Sequence, residues 1–308
     1  MNTAKWITWK NTAQLNNNNS SQSVAIFGLL FGALCWGIIW FPYRLMAEAG
    51  MSGAASSFYT YSIAIIIAGI YFAKHWRGVF ELPLSMVFLA VVAGWTNLAY
   101  VLAVIDGEVM RVMLLFYLSP LWTLMLAHFW LKEKTSVKGY IAIAVSLIGA
   151  FTMLYNPQVS SLPLPKNTAE WLALSSGIGF SLTNVITRRS THLSIRAKSF
   201  AVWVGVLVMS LFYILLSHGV FPSPNVLTAT HWFVIVLIAI LLLAATLLVQ
   251  YGVTKIPATR ASVIFLFELV VAAIASYYLA HETMALNEWV GGSLIVLAAI
   301  FAASEQTD

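Results

Sequence analysis

Polar residues interrupt this chain only briefly. Ten apolar runs can be marked, at about 24–46, 54–73, 84–104, 109–131, 136–155, 169–187, 199–217, 231–252, 257–280 and 286–304. As a helix, about twenty such residues cross a hydrocarbon core of about 30 Å. The breaks carry turn or charge signals: Gly50 and Gly53, Lys74 to Arg77, Asp106 to Glu108, Lys132 to Lys138, the proline-rich Asn156 to Lys166, Arg188 to Lys198, Pro222 to Asn225, Lys255 to Pro257, and His281 to Asn287. All of these loops are short, and no soluble domain fits between the runs. The pattern predicts an all-α polytopic membrane protein with ten transmembrane helices.

The ninth run has an echo in the fourth. A shift of 149 residues lays Arg260 on Arg111, Phe265 on Phe116 and Glu282 on Glu133, so each copy runs from Arg through an apolar span to Glu. The chain therefore reads as a duplication: 1–23 a disordered cytoplasmic tail, 24–155 the first five spans, 156–168 a linker, 169–304 the second five, and 305–308 a cytoplasmic tail. Five is odd, so the second copy enters the membrane facing the other way. That is the two-inverted-repeat plan of many secondary transporters, with substrate held near the midplane where the halves meet.

Composition agrees with this picture. Hydrophobic residues make up 60% of the chain and charged residues 9%, with mean hydropathy +0.86, against about 25% charged in soluble domains. The basic balance, 16 Lys and Arg against 11 acids, is an orientation signal rather than a nucleic-acid surface. With the N-terminus in the cytoplasm, Arg44, Arg111 and Lys166 are the Lys and Arg that fall outside, and the rest fall inside, including Lys132, Lys134, Arg188, Arg189 and Lys198. Cys35 has no partner for a disulfide or a thiolate metal site and reads as a small packing residue. No P-loop or GxGxxG pattern occurs, which argues against a nucleotide-driven pump. Nothing implies a cofactor, and the lone His128 has no second metal ligand at helical spacing.

The candidate chemistry centres on Glu268, an acid near the middle of the ninth run. At that depth a charge costs roughly 2.5 to 3.5 kcal/mol or more. It either binds a substrate ammonium, alternates between protonated and ionised forms as a coupling group, or stays neutral and hydrogen-bonded to a neighbouring helix. Asn97, Tyr100, Tyr117, Asn184 and Gln250 are polar groups inside other spans; they bond across helices or together line a central cavity. Trp36, Trp40, Trp95 and Trp122 lie away from the expected interfaces and are candidates for an aromatic lining that would hold an ammonium by cation–π attraction. Arg260 precedes Glu268 by roughly 12 Å of helix and is expected at the cytoplasmic entrance. Arg111 opens the fourth span on the outer side. Either could attract a carboxylate, or snorkel to headgroups.

Ten spans in two halves, a first span reading GALCWGIIWFPYR, and fourth and ninth spans that begin near Arg and close on Glu resemble the drug/metabolite transporter superfamily, in particular its EamA-type members. The resemblance covers about residues 24 to 304. In that family these two spans often carry Glu-Pro or a bare Pro near their middles. Here the pair is divided between Ser119-Pro120 and Glu268-Leu269, so Pro120 should loosen the fourth span, while the ninth lacks the proline to bend in the same way. The resemblance implies a small-molecule permease of the bacterial inner membrane, an exporter of amino acids or related metabolites, not an enzyme. It would partner a small-molecule substrate, the lipid bilayer and a proton or other coupling ion, as monomer or homodimer. Multidrug efflux of hydrophobic cations is the neighbouring expectation, and a membrane enzyme or receptor a more distant one.

Overall fold

A long apolar segment can satisfy its own backbone N–H and C=O groups only by coiling, so runs without a pairing strand become helices. The computed structural model describes residues 3–72, 83–107, 109–155, 165–217, 227–279 and 285–304, with side chains from residue 21 onward except at 105 and 109–111. Every regular element among them is helical. They are α1 (Thr3–Glu48), α2 (Gly53–Phe72), α3 (Leu84–Asp106), α4 (Val109–Phe116), α5 (Ser119–Leu126), a π-helical turn (Ala127–Leu131), α6 (Val137–Met153), α7 (Thr168–Arg189), α8 (Ile195–Leu216), α9 (Ala229–Lys255), α10 (Ala258–Phe265), α11 (Phe267–Leu279) and α12 (Leu286–Ser304). Side-chain oxygens of Ser136, Asn167, Ser194 and Thr228 cap the first turns of α6 to α9.

Among the described residues, eight helical stretches are long and apolar enough to cross a membrane: Ser21–Glu48, Gly53–Phe72, Leu84–Val104, Val112–Leu131, Ile195–Leu216, Ala229–Lys255, Ala258–Leu279 and Leu286–Ser304. The two remaining predicted spans fall short for different reasons. α6 is apolar but has only 17 residues. α7 is long enough, with 22 residues, but carries buried Ser176, Ser181, Asn184 and Thr187. It can tolerate them because α3, α4, α5, α9 and α10 all pack against it. Large apolar side chains, such as Phe129, Phe233 and Leu297, stand exposed on the outside of the bundle, where a soluble protein of this size would bury them. This is a multi-pass membrane protein.

The first helix departs from the sequence expectation. Its backbone continues back to Thr3, through the Asn-rich stretch read as a disordered tail. No glycine or proline occurs before Val24, and a helix already nucleated in the apolar span extends residue by residue at little cost.

Helices of the two sequence halves interleave. α1 packs on α9, α10 and α11; α3 lies against α7 and α8; α6 pairs with α12. α10 is buried from Ala258 through Phe265, enclosed by α1, α5, α6, α7 and α12.

Candidate functional site

Two of the crossing stretches are broken in mid-course. α4 ends at Phe116, and the chain steps through Leu118, whose N–H bonds the Leu115 carbonyl at 3.4 Å while its own carbonyl accepts from Leu121 at 3.0 Å. α10 ends at Phe265 and steps through Leu266 in the same manner, with bonds of 3.2 Å to Val263 and 3.1 Å from Leu269. These i to i+3 bonds tighten the backbone locally and separate each stretch into two half-helices. Pro120 lies in the first turn of α5, where a missing N–H costs nothing. The ninth stretch breaks in the same way as the fourth without a proline beside the break.

A glycine lets a neighbouring helix press against each break. A Cβ on Gly177 of α7 would lie 2.7 Å from the Phe116 carbonyl oxygen, and one on Gly37 of α1 would lie 2.8 Å from that of Glu268. Ser181 of α7 also donates to the Ser119 carbonyl at 2.9 Å. Both breaks are thus gripped from the opposite half of the sequence.

Aromatic rings converge between them. Trp36 of α1 contacts Phe265 and Phe180, with centroids 5.6 and 6.1 Å away. Phe180 of α7 touches Phe265 at 5.3 Å and Phe116 at 5.6 Å, and Phe116 touches Tyr100 of α3 at 4.9 Å and Tyr117 at 5.2 Å. At the end of this row stands Glu268, in the first turn of α11 and half-buried. Tyr117 hydrogen-bonds its carboxyl group, and Tyr100 lies within electrostatic reach of it. The helix dipole at the start of α11 favours a negative charge there.

Several polar atoms near the row lack a partner. They include Trp40 Nε1 one turn beyond Trp36, Asn97 Oδ1 one turn before Tyr100, Trp122 Nε1 and Thr123 Oγ1 in α5, and Thr183 Oγ1 and Asn184 Nδ2 one turn beyond Phe180. Asn184 is itself 3% exposed. A buried polar atom left unbonded costs about 1 to 3 kcal/mol. Six such atoms on α1, α3, α5 and α7 leave hydrogen-bonding capacity free beside the aromatic row.

Of the residues singled out in the sequence, Glu268, Tyr100, Tyr117 and Trp36 meet in this cluster, while Trp40, Asn97 and Asn184 lie one helical turn away from it. Gln250 is occupied elsewhere, since its Oε1 accepts from Thr187 Oγ1 at 2.9 Å. Arg260, in the first turn of α10, is buried at 6% exposure and donates through Nη2 to the Ala303 carbonyl, so it ties α10 to the last turn of α12. The Arg111 side chain and Glu282 lie outside the described residues. Trp95 continues an exposed apolar stripe with Leu84, Val87, Phe88 and Val91 on the outside of the bundle. His128 is exposed, and no group of three or more potential metal ligands occurs among the described residues. Sequence reasoning missed Phe180, Phe116 and Phe265 as site residues, although the 149-residue echo had already paired the last two.

Comparison with known proteins agrees with this architecture. An uncharacterized transporter of Archaeoglobus fulgidus is 22% identical over 222 residues, covering 71% of this chain and 76% of its own length. The uncharacterized transporter YojE of Bacillus subtilis is 20% identical over 81% of this chain and 83% of its own. A crystal structure superposes with a TM-score of 0.75 at 15% identity, over 91% of this chain and 96% of that one, which shows a shared fold. The family model for EamA-like transporters matches residues 23–155 and 167–304, one stretch on either side of the proline-rich linker. With both broken stretches inside the matched regions, this chain belongs to the EamA-like transporter family.

Proposed function

We propose that the protein is a secondary transporter built from ten spans in two inverted five-helix repeats, exporting amino acids or related small metabolites across the bacterial inner membrane. α6 and α7 complete the ten spans, and both termini are cytoplasmic. The observation that carries this reading is the pair of broken stretches, each ending on a phenylalanine and each gripped by a glycine from the other half, with an aromatic row and one carboxylate between them. The two matched family stretches support the duplication. In this reading Glu268 takes the substrate ammonium or a coupling proton, and the rings hold its apolar part. Rocking of the halves about the breaks opens the site to one side and then the other.

The length of the aromatic row beside a single carboxylate also favours a second reading, efflux of hydrophobic cations. Untargeted comparison of solutes inside and outside cells with and without the protein, followed by reconstitution in liposomes with the best hit, tests both. Saturable flux of an amino acid or related metabolite supports the first, and flux of chemically unrelated lipophilic cations the second. Solute-independent hydrolysis or group transfer without flux would remove both.

A further inference from the structure

The C-terminal end of the fourth crossing stretch does not fade into a loop. It closes in the π-helical turn Ala127–Leu131, followed by Lys132 in the left-handed region at φ 56, a conformation that non-glycine residues adopt at a cost. π-turns and such strained residues concentrate at functional sites. Their combined effect here is to aim Glu133. Its Oε1 accepts from Arg188 Nε at 2.8 Å and its Oε2 from the backbone N–H of Ala258 at 3.1 Å. The acid therefore pairs with the C-terminal end of α7 and caps the N-terminus of α10 at once.

Beneath it the arrangement continues. Arg188 Nη1 donates to the Thr254 carbonyl at 2.6 Å, at the end of α9. Lys198 of α8, fully buried, donates to the Thr187 carbonyl at 3.1 Å and to Thr254 Oγ1 at 2.9 Å. The ends of α7 and α10 are thereby fastened to one residue of the first half, and the end of α9 is fastened to Arg188 and Lys198. α7 and α10 are also the helices that carry Phe180 and Phe265, so their position at this mouth and the spacing of the aromatic row cannot change independently. α10 is eight residues of buried, unbroken helix from the capped Ala258 to Phe265.

We propose that Glu133, Arg188 and the buried Lys198 form a latch that holds the mouth at this end closed, and that release of Glu133 from Arg188 and from Ala258 together lets α10 and α7 separate and opens the aromatic row towards that side. Glu133 is the moving part, because it is the member supplied by the first half. Its side chain and that of Arg188 are 20% and 24% exposed, so the pair is reachable by water and can exchange partners, whereas Lys198 stays within the second half as a brace.

The latch takes its purpose from the alternating-access reading, but its test needs no substrate. In a Cys35→Ser background, Thr183→Cys places a thiol on α7 between Phe180 and the latch. Sealed vesicles of each orientation are treated with a membrane-impermeant charged maleimide. Labelling from the Glu133 side should be slow with the latch intact, rise about five- to tenfold in Glu133→Gln and Arg188→Gln, and rise further in Glu133→Ala, which also removes the cap on Ala258. Labelling from the opposite side should not rise. Unchanged rates in variants that remain monodisperse, rapid labelling of the intact latch from the Glu133 side, or acceleration from the opposite side would each overturn the proposal. Should Glu133→Ala fail to fold, the two Gln variants decide. Vesicles that open in this assay yet carry no solute would remove the transport reading and leave the latch standing.

Discussion

The stretches α4–α5 and α10–α11 are the same device carrying different chemistry. Each ends its first half-helix on a phenylalanine, 149 residues apart, and each continues through an i to i+3 step. One has a proline beside the break and no charge; the other has a carboxylate and no proline. That the second is broken with no proline beside it shows that a proline is not required for such a step. What the two share is external: a glycine on the first helix of the opposite half, pressed against a carbonyl at the break. Proline chemistry is therefore free to vary, and the first half contributes the Tyr117 hydroxyl while the second contributes the charge.

Removing the charge is the most severe way to break that comparison. Glu268→Gln should lower substrate flux by a hundredfold or more relative to wild type, in line with about 3 kcal/mol for a lost buried charge interaction, with expression intact. Wild-type rates across a pH series in reconstituted liposomes would take this residue out of the mechanism. Next comes the ring that both breaks share. Phe180→Ala should weaken substrate binding by about tenfold to thirtyfold, seen as a raised KM, because it loses stacking with Phe116 and Phe265 together. Tyr117→Phe keeps the ring and removes only the hydroxyl that bonds Glu268, so about a tenfold loss is expected in the same assay. Pro120→Ala should have the smallest effect, within about threefold of wild type, since a first-turn proline contributes little. A loss as large as that of Glu268→Gln would mean that the proline does create the break.

Much of this was legible in the sequence. Apolar run lengths gave the helices, because nothing but a helix can carry such a segment through lipid. Glu268 stood out because an acid is costly there, and Phe116 and Phe265 were already paired by the echo. Helix faces were not legible: Trp95 and Trp36 look alike as letters, yet one faces the outside of the bundle and the other the aromatic row. The hydrogen bonds of Gln250 and Arg260 were hidden for a related reason, since their partners, Thr187 and the Ala303 carbonyl, are distant in sequence. The break in the ninth stretch was hidden because no proline marks it and the helix that presses against it, α1, is distant in sequence. Phe180 gave no signal beyond being an aromatic residue in a polar helix.

The polar character of α7 bears on how the protein is made. In the proposed ten-span arrangement, a segment with four buried hydroxyl and amide side chains partitions poorly into lipid by itself, and its inward-facing Ser and Asn need partners on arrival. On that arrangement α7 should enter the bilayer together with the strongly apolar α8 and against helices of the first half. The helix that supplies the central ring of the site is thus the one that relies most on its neighbours to sit in lipid.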